Sequence, residues 1–303
     1  MVMAAMNPER PSSNRYVLVT AARNEERYIE QTLQSVTAQT IKPIEWVIMS
    51  DGSTDRTDEI VSAYANEYPF VRLSRITDDH PRNFAAQVMA INAGCELLQS
   101  SAYDFIGNLD ADVRFEPHYF ETLLQKFAAD DDLGCAGGTI CEEQGGEYRS
   151  RLANSRWSVA HAVQFFRRDC FEEVGPYMAL RYGGPDWVAE IRARQKGWKV
   201  ESFPDLLVEH LRPTAGAEGL LRGRVRQGRM DYSLGSLFLF ELLKCARRVN
   251  ESPRVVGSML RFYGYVSSCV RRDPRLLGDE IVESLRQEQT QRLRDLLRQG
   301  LRD

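Results

Sequence analysis

Two aspartates stand two positions apart in the segment GNLDADVR, residues 107–114. Asp110 and Asp112 follow a run, residues 103–109, that is typical of a buried β-strand. Two like charges at the tip of a buried element cost folding free energy unless a positive charge lies between them. Mg²⁺ and Mn²⁺ accept carboxylate ligands, and Mg²⁺ usually bridges to substrate phosphates. The pair therefore predicts a divalent cation that binds a diphosphate.

The surrounding sequence predicts the elements that must hold this pair. Runs typical of strands alternate with helical patterns in the N-terminal half, and these runs are residues 16–20, 45–50, 70–74, 103–109 and 133–140. This alternation predicts an α/β fold with a mainly parallel sheet flanked by helices. Ligands of such sheets bind outside the carboxyl ends of the strands. Polar residues that follow strands should therefore face one crevice.

Polar residues do follow these strands. Arg23 and Glu25 come after the first strand, Asp51 ends the second, and Asp110 follows the fourth. The glycine patterns that cradle phosphates, GxxxxGK[ST] and GxGxxG after the first strand, are absent from the sequence. This absence argues against a P-loop NTPase and a dinucleotide-dependent dehydrogenase, and it favours a metal-bound diphosphate.

The net charge of −4 is unevenly distributed along the chain. Residues 212–272 contain 12 Lys and Arg against 4 Asp and Glu, whereas the 211 residues before them are acidic overall. A basic C-terminal segment predicts an anionic surface or substrate near it. The acidic body and the lack of a recognisable nucleic-acid-binding motif argue against nucleic acid as a partner. Six scattered cysteines without a CxxC pair are typical of a reduced, cytoplasmic protein.

Several spaced segments together resemble the family 2 glycosyltransferases of the GT-A fold. In the family's order, the segments are VTAARNEERYIEQTLQSVTAQT, EWVIMSDGSTDRT, AINAG, NLDADVRFEPHYFETLL, FFRRDCFEEVGPY and YGGPDWVAEIRARQKGWKV. The resemblance covers about residues 15–212. It implies an enzyme that moves a sugar, with inversion, from a nucleotide diphosphate donor to an acceptor hydroxyl. It does not imply a particular sugar, base or acceptor.

The resemblance implies roles for the matching residues on the donor side. Asp51 would hydrogen-bond the nucleobase, and Arg23 and Glu25 would line the nucleotide pocket. Asp110 would contact the ribose or the metal-bound diphosphate. Asp112 would coordinate Mg²⁺ or Mn²⁺, which neutralises the leaving diphosphate.

Two further residues extend the predicted donor site, and each has a plain structural alternative. His210 ends a predicted strand where many relatives place another metal or diphosphate ligand, although a lone histidine is more often structural. Arg82 would reach a phosphate or would be a surface residue.

Asp186 is the candidate catalytic base. Inversion needs a carboxylate that takes the acceptor proton while the hydroxyl attacks the anomeric carbon. In the family this aspartate follows a glutamate, whereas Pro185 precedes it here. A proline is compatible with a helix start, but the missing carboxylate would alter acceptor recognition or weaken catalysis. Trp187 would stack on a sugar or would be a core residue, and Arg192 would contact the acceptor or the diphosphate.

Beyond residue 212 the pattern is helical. Residues 223–248 and 253–272 predict two helices, and residues 279–301 predict a polar third helix. An apolar band flanked by arginines favours peripheral membrane contact through residues 230–272 and a lipid-phosphate acceptor. A helix packed on the catalytic domain, or a homodimer interface, is the alternative. Arg229, together with Arg226 and Tyr232, would touch the diphosphate or a lipid phosphate; the band is Leu234, Leu237, Phe238, Leu242 and Leu243.

We therefore predict a disordered tail (1–14), a GT-A catalytic domain (15–212) and a basic helical extension (213–303). The protein would be a metal-dependent glycosyltransferase at the cytoplasmic face of a membrane, with a nucleotide-sugar donor and a glycan or lipid-linked acceptor. It would act in polysaccharide or glycan biosynthesis. A sugar-phosphate nucleotidyltransferase is one alternative, although AARNEER lacks the glycines that it needs. A nucleotide-sugar-binding protein with weakened catalysis is another, with Pro185 as the suspect position.

Overall fold

The structure is a computed structural model that describes residues 14–76, 84–151, 154–212, 219–251 and 253–300. Three of the predictions above concern residues outside this part of the chain. They are the tail before residue 14, the contact of Arg82, and the start of the extension at 213–218.

Nine strands form one sheet within the described residues. The strands are β1 (Tyr16–Ala22), β2 (Glu45–Asp51), β3 (Val71–Ile76), β4 (Phe105–Asn108), β5 (Val113–Phe115), β6 (Leu133–Gln144), β7 (Glu147–Ser150), β8 (Phe165–Arg167) and β9 (Lys199–His210). The helices are α1 (Ile29–Thr37), α2 (Thr57–Glu67), α3 (Phe84–Glu96), α4 (Tyr119–Ala129), α5 (Arg168–Val174), α6 (Pro185–Gln195), α7 (Leu220–Ser233), α8 (Phe238–Arg247), α9 (Val256–Arg271) and α10 (Asp279–Gly300).

The sheet changes character across its width. Its order is β3-β2-β1-β4-β8-β6-β9-β5, with β7 paired to β6. From β3 to β4 all pairings are parallel, as the strand–helix alternation predicts. Beyond β4 the sheet is mixed, because β8 runs antiparallel to β4 and β6, and β5 runs antiparallel to β9. The strands β5 and β8 have three residues each, too few for a periodic pattern to reveal them in the sequence.

The parallel half of the sheet sets the position of the crevice. β1 lies between β2 and β4, with Ala22 opposite Ser50 and Val19 opposite Asn108. Helices cover both faces, so β1 and β2 are buried along almost their whole length. The segments that follow β1, β2 and β4 therefore meet at one edge, as predicted.

The predicted helix over 223–248 is two helices in the structure. α7 ends at Ser233, and α8 begins at Phe238. Gly235 between them has a φ of 85°, which a glycine adopts at little cost. Leu234 is fully buried in a second apolar cluster with Leu180, Val188, Ile191, Leu277, Val282 and Leu285. Leu234 therefore belongs to the interior, and the predicted outward band loses its first member.

Two C-terminal helices cross in backbone contact. A Cβ atom on Gly228 of α7 would overlap the carbonyl oxygen of Arg261 on α9, and one on Gly264 would overlap that of Val225. Glycines are thus required on both sides of this crossing. Among the described helices, none is long and apolar enough to cross a membrane.

Candidate active site

Three side chains at the edge of the sheet form a group that can hold a divalent metal ion. Asp110, Asp112 and His210 each offer one ligand atom, and these atoms lie within 4.8 Å of one another. His210 ends β9 and is paired with Val113, the first residue of β5. Its Nε2 lies 3.4 Å from Oδ1 of Asp112. Strand pairing thus joins a histidine to two aspartates that are far from it in sequence.

The backbone around the two aspartates is fixed from two sides. The hydroxyl of Thr32, on α1, donates to the carbonyl oxygens of Val113 at 2.8 Å and Ala111 at 3.0 Å. The amide of Leu211, just after β9, donates to the carbonyl oxygen of Asp112 at 2.8 Å. These bonds hold the aspartates at the tip of β4 in a defined orientation.

Arg212 supplies part of the positive charge that the aspartates require. Its Nε lies 3.4 Å from Oδ2 of Asp112, and its guanidinium also pairs with the carboxylate of Glu25. The same guanidinium lies over the ring of Tyr28, 5.3 Å from the ring centroid. Arg212 therefore links the metal group to the segment that follows β1.

The pKa values of the Asp110 and Asp112 carboxyl groups are shifted in opposite directions. Burial raises the pKa of each carboxyl group. For Asp110, the hydrogen bond from His161 and the positive charges of His161, His210 and Arg212 together outweigh burial, so its pKa is lowered overall. For Asp112, burial and the charge of Asp110 outweigh the attraction of His210 and Arg212, so its pKa is raised. A divalent cation would relieve this repulsion, and two carboxylates with an imidazole suit such an ion.

The predicted nucleotide-binding residues lie at the ends of β1 and β2. Asp51 is buried, and its Oδ2 lies 3.5 Å from Nη1 of Arg23. The amide of Glu25 donates to Oγ1 of Thr57 at 2.7 Å, and its carboxylate reaches Arg212. The structure thus brings Arg23, Glu25 and Asp51 to the edge where the metal group lies.

The candidate base lies in the first turn of α6. Pro185 occupies the first helical position, so its replacement of the family's glutamate is compatible with the helix start. Gly184 before it has a φ of 94°, and a Cβ there would lie 3.1 Å from Cδ1 of Leu234. Among the described residues, no group forms a hydrogen bond or ion pair with the carboxylate of Asp186. Asp186 lines a cavity, where its carboxylate is available to a ligand.

One cavity of about 480 Å³ joins the metal group to the candidate base. Asp110, His210 and Arg212 line it, and so do Asp186 and Trp187. The candidate metal group and the candidate base therefore open into the same space.

Comparison with known proteins identifies the family of this site. Residues 17–182 match the sequence profile of Glycosyl transferase family 2, which is more than half of the chain.

The chain belongs to glycosyl transferase family 2.

Two relatives illustrate the range of this family. The glucosyl-dolichyl phosphate glucuronosyltransferase of Haloferax volcanii is 27% identical over 184 residues, which are 53% of this chain and 55% of that protein. The poly-β-1,6-N-acetyl-D-glucosamine synthase of Staphylococcus aureus (strain COL) is 30% identical over 251 residues, 75% of this chain and 57% of that protein. The chain spans little more than half the length of these relatives.

A solved structure supports the fold assignment. The mannosyltransferase PcManGT from Pyrobaculum calidifontis, in complex with GDP-Man and Mn²⁺, superimposes with a TM-score of 0.53 at 16% identity. The match covers 84% of this chain and 75% of that one. The predicted GT-A fold of this family 2 member is confirmed.

Three predicted acceptor-side residues take different places in this family 2 domain. Trp187 lines the cavity. Arg192 points elsewhere, because its Nη1 donates to the carbonyl oxygen of Val174 at 3.3 Å. Arg229 is not among the described lining residues, whereas Arg226 from the same helix is. The structure therefore brings Trp187, but neither Arg192 nor Arg229, to the cavity.

Glu190 is a buried acid that the sequence did not single out. It follows Asp186 by one turn of α6 and is fully buried. Its Oε1 accepts hydrogen bonds from the amide of Val159 at 2.6 Å and the hydroxyl of Ser158 at 3.2 Å. Burial raises the pKa of its carboxyl group to about 8. Glu190 therefore joins the helix of the candidate base to the 158–164 segment of the cavity wall.

Sequence reasoning also missed His161 and Arg212. His161 received no functional role, yet its Nδ1 lies 3.7 Å from Oδ1 of Asp110. It precedes a three-residue strand, so no pattern marked its position. For Arg212 a signal did exist. It stands two positions after His210, and alternate residues of an extended chain share one face.

Proposed function

We propose that this protein is an inverting glycosyltransferase that uses Mg²⁺ or Mn²⁺ and a nucleotide diphosphate sugar. The observation that carries this proposal is the shared cavity, which joins the group of Asp110, Asp112 and His210 to the carboxylate of Asp186. Transfer from a nucleotide diphosphate sugar to an acceptor hydroxyl needs a metal site for the diphosphate and, beside it, a carboxylate that accepts the proton of the hydroxyl.

The donor would lie across the edge of the parallel sheet. Asp51 and Arg23, which form an ion pair, would hold the nucleobase end, and Glu25, which pairs with Arg212, would keep that guanidinium beside Asp112. A metal ion held by Asp110, Asp112 and His210 would neutralise the charge that develops on the leaving diphosphate. Arg212 adds a fixed positive charge at the same place.

The transfer step would use Asp186 as general base. The acceptor oxygen forms a bond to the anomeric carbon as the bond from that carbon to the diphosphate breaks. The acceptor proton moves to the Asp186 carboxylate, and the nucleoside diphosphate leaves with the bonding electrons. Because attack and departure occur on opposite faces of the sugar, the anomeric configuration inverts.

The surface of the C-terminal helices supports a proposal about where the protein acts. Phe238, Leu239 and Leu242 on α8 are exposed, as are Met259 and Val270 on α9. Three arginines at the two ends of α9 are also exposed: Arg254, Arg271 and Arg272. An apolar face with a basic rim favours an anionic bilayer surface. We therefore propose that the protein works at the cytoplasmic face of a membrane in polysaccharide or glycan synthesis.

A thermal-shift experiment tests this function. UDP, GDP, dTDP, CDP and their common sugars are screened with and without Mn²⁺. A ligand at 100 times its Kd should stabilise the protein by about 2.7 kcal/mol. We expect one nucleotide to give a metal-dependent shift that Asp112→Ala abolishes and Asp131→Ala, on an exposed loop, retains. A shift that persists when the metal is chelated would refute the role of the aspartates.

A further inference from the structure

The 158–164 segment connects the candidate metal group to the candidate base. On one side, its backbone is bonded to the tip of β4. The amide of Asp110 donates to the carbonyl oxygen of Ala162 at 3.0 Å. The amide of Asn108 donates to the carbonyl oxygen of Gln164 at 2.9 Å. These bonds attach the segment to the residues that carry the metal group, and the side chain of Gln164 extends from it to α6.

Gln164 is fully buried between the segment and α6. Its Nε2 lies 3.3 Å from the main-chain carbonyl oxygen of Asp186, the candidate base. The same Nε2 lies 3.4 Å from Oε1 of Glu190, one turn later on the helix. The amide group of Gln164 therefore donates to oxygen atoms of two successive turns of α6.

The orientation of the Gln164 amide is set by its partners. A carbonyl oxygen only accepts hydrogen bonds, so Nε2 and not Oε1 must face Asp186. Oε1 then accepts a hydrogen bond from the hydroxyl of Tyr177 at 2.9 Å. The backbone of Tyr177 is bonded to the side chain of Asn92 on α3 through both its amide, at 3.1 Å, and its carbonyl oxygen, at 2.8 Å. Helix α3 thus holds the Gln164 amide in place through Tyr177.

We propose that Gln164 is a positioning residue that holds the first turn of α6, and with it the Asp186 carboxylate, at a fixed distance from the metal group. This inference rests on the proposed function, since it concerns the base of the same reaction. Gln164 is not among the described residues that line the cavity, so it acts through Asp186 and not on the substrate. A displacement of about 1 Å in a reacting group lowers a rate about 10²-fold.

The positioning role concerns turnover and not donor binding. The proposed donor contacts come from other parts of the chain: Asp51 ends β2, Asp112 precedes β5, and Arg212 follows β9. The bonds between β4 and the 158–164 segment are made by the backbone, so they persist when the Gln164 side chain is replaced. Loss of its amide should therefore lower kcat and leave KM for the donor unchanged.

The test compares Gln164→Met with a matched control, Gln39→Met. Gln39 is also a buried glutamine outside the described cavity lining, and its amide forms hydrogen bonds with backbone groups of Ser35, Glu116 and Phe120. The measured reaction is hydrolysis of the nucleotide sugar that stabilises the wild type most, with water in place of the acceptor hydroxyl. We expect Gln164→Met to lower kcat about 10²-fold at an unchanged KM. Gln39→Met should retain the kcat of the wild type.

A second pair of variants serves if Gln164→Met does not fold. Tyr177→Phe removes only the hydroxyl that orients the Gln164 amide, and it should lower kcat about tenfold because one orienting hydrogen bond is lost. Its matched control is Tyr16→Phe, which also removes a hydrogen bond of a buried tyrosine, here to the carbonyl oxygen of Ile41 at 2.7 Å. Tyr16→Phe should retain the kcat of the wild type.

A merely structural role would lower the thermal midpoints without separating the two members of a pair in kcat. Equal kcat within the folded pair would therefore overturn the inference, and so would a raised KM for the donor at an unchanged kcat. The Mn²⁺-dependent nucleotide shift of the wild type tests the proposed function on its own. Its absence would refute that function and this inference together.

An intact nucleotide shift confines a failure to the inference. Equal kcat in the matched variants would then show that Gln164 does not position the base. An intact shift in a wild type that does not hydrolyse the donor would also refute the inference, because no base would then be held within reach of the anomeric carbon.

Discussion

Asp186 is the residue on which the proposed chemistry depends most. Its carboxylate forms no hydrogen bond or ion pair with the described residues, and it lines the cavity shared with the metal group. A general base is worth about 10²–10⁴-fold in rate. Its removal should therefore affect the rate of transfer and leave donor binding intact.

We expect Asp186→Asn to lower the rate of sugar transfer by about 10²–10⁴-fold. The metal-dependent nucleotide shift should stay at the wild-type value, because donor and metal contacts are untouched. Rates of nucleoside diphosphate release check the first expectation, and thermal shift checks the second. Asp131→Asn, which changes an exposed carboxylate, should retain the full rate. A normal rate in Asp186→Asn would show that another group takes the proton.

Glu190 should give stability a distinct pH dependence. Its pKa rises from 4.5 to about 8 on folding, so the folded state binds the proton more tightly. Stability is therefore greatest below the unfolded pKa and falls as pH rises through about 8. Glu190→Gln resembles the protonated acid, so it should lose less stability between pH 5.5 and 8, by about 1–4 kcal/mol.

Urea denaturation at the two pH values measures this difference. Glu283→Gln is the matched control, since Glu283 is exposed on α10. Parallel pH profiles for wild type and Glu190→Gln would show that the Glu190 carboxyl group titrates normally.

At this scale the sequence was informative where a residue type and a family motif coincided. Asp110, His210 and Asp186 line the cavity, and Asp112 lies in one group with Asp110 and His210. The sequence did not reveal contacts between side chains that are far apart in the chain. Lys244 belongs to a helix distant in sequence from α6, and only the folded chain places it over Trp187.

At the scale of elements, the crossing of α7 and α9 is the most demanding contact. Gly228 and Gly264 each face a backbone carbonyl group so closely that a Cβ atom has no room. Residues of these two helices and of α8 line the cavity, so the geometry of the cavity depends on this close approach.

Gly264→Ala should therefore destabilise the fold by about 1–3 kcal/mol, because an added methyl group must push the helices apart. Chemical denaturation measures the change in the free energy of unfolding. Gly278→Ala is the control, since no atom lies within 4 Å of the corresponding Cβ position. Equal stability of the two variants would mean that α7 and α9 separate without cost.

The elements show where sequence reasoning succeeds and where it stops. The apolar runs of β1, β2 and β4 are long enough to be recognised as strands in the sequence. Their parallel pairing was predicted because helices lie between them in the chain. β5 and β8 have three residues each and left no periodic pattern. The break between α7 and α8 was missed because Gly235 lies inside an amphipathic pattern that continues on both sides.

At the scale of the whole molecule, the proposed membrane face makes a prediction about partitioning. Leu242→Glu should abolish co-sedimentation with vesicles that contain anionic lipid, because a charge enters the apolar face. Leu97→Glu is a matched control. The two leucines are 42% and 40% exposed, but Leu97 lies just after α3, outside the proposed face. Thermal midpoints should remain similar for both variants. Equal vesicle binding by both would refute a membrane role for α8.

The two-sided character of α8 has a consequence for mutational tolerance. A surface helix usually has one constrained side and one side that accepts many residues. On α8 the leucines and Phe238 would be held by the bilayer, while Lys244, which lines the cavity, would be held by its ion pair with Asp231. The sector around Arg247 is then the part of α8 left free to vary. In a library that randomises every position of α8, functional variants should be diverse at Arg247 and sparse elsewhere.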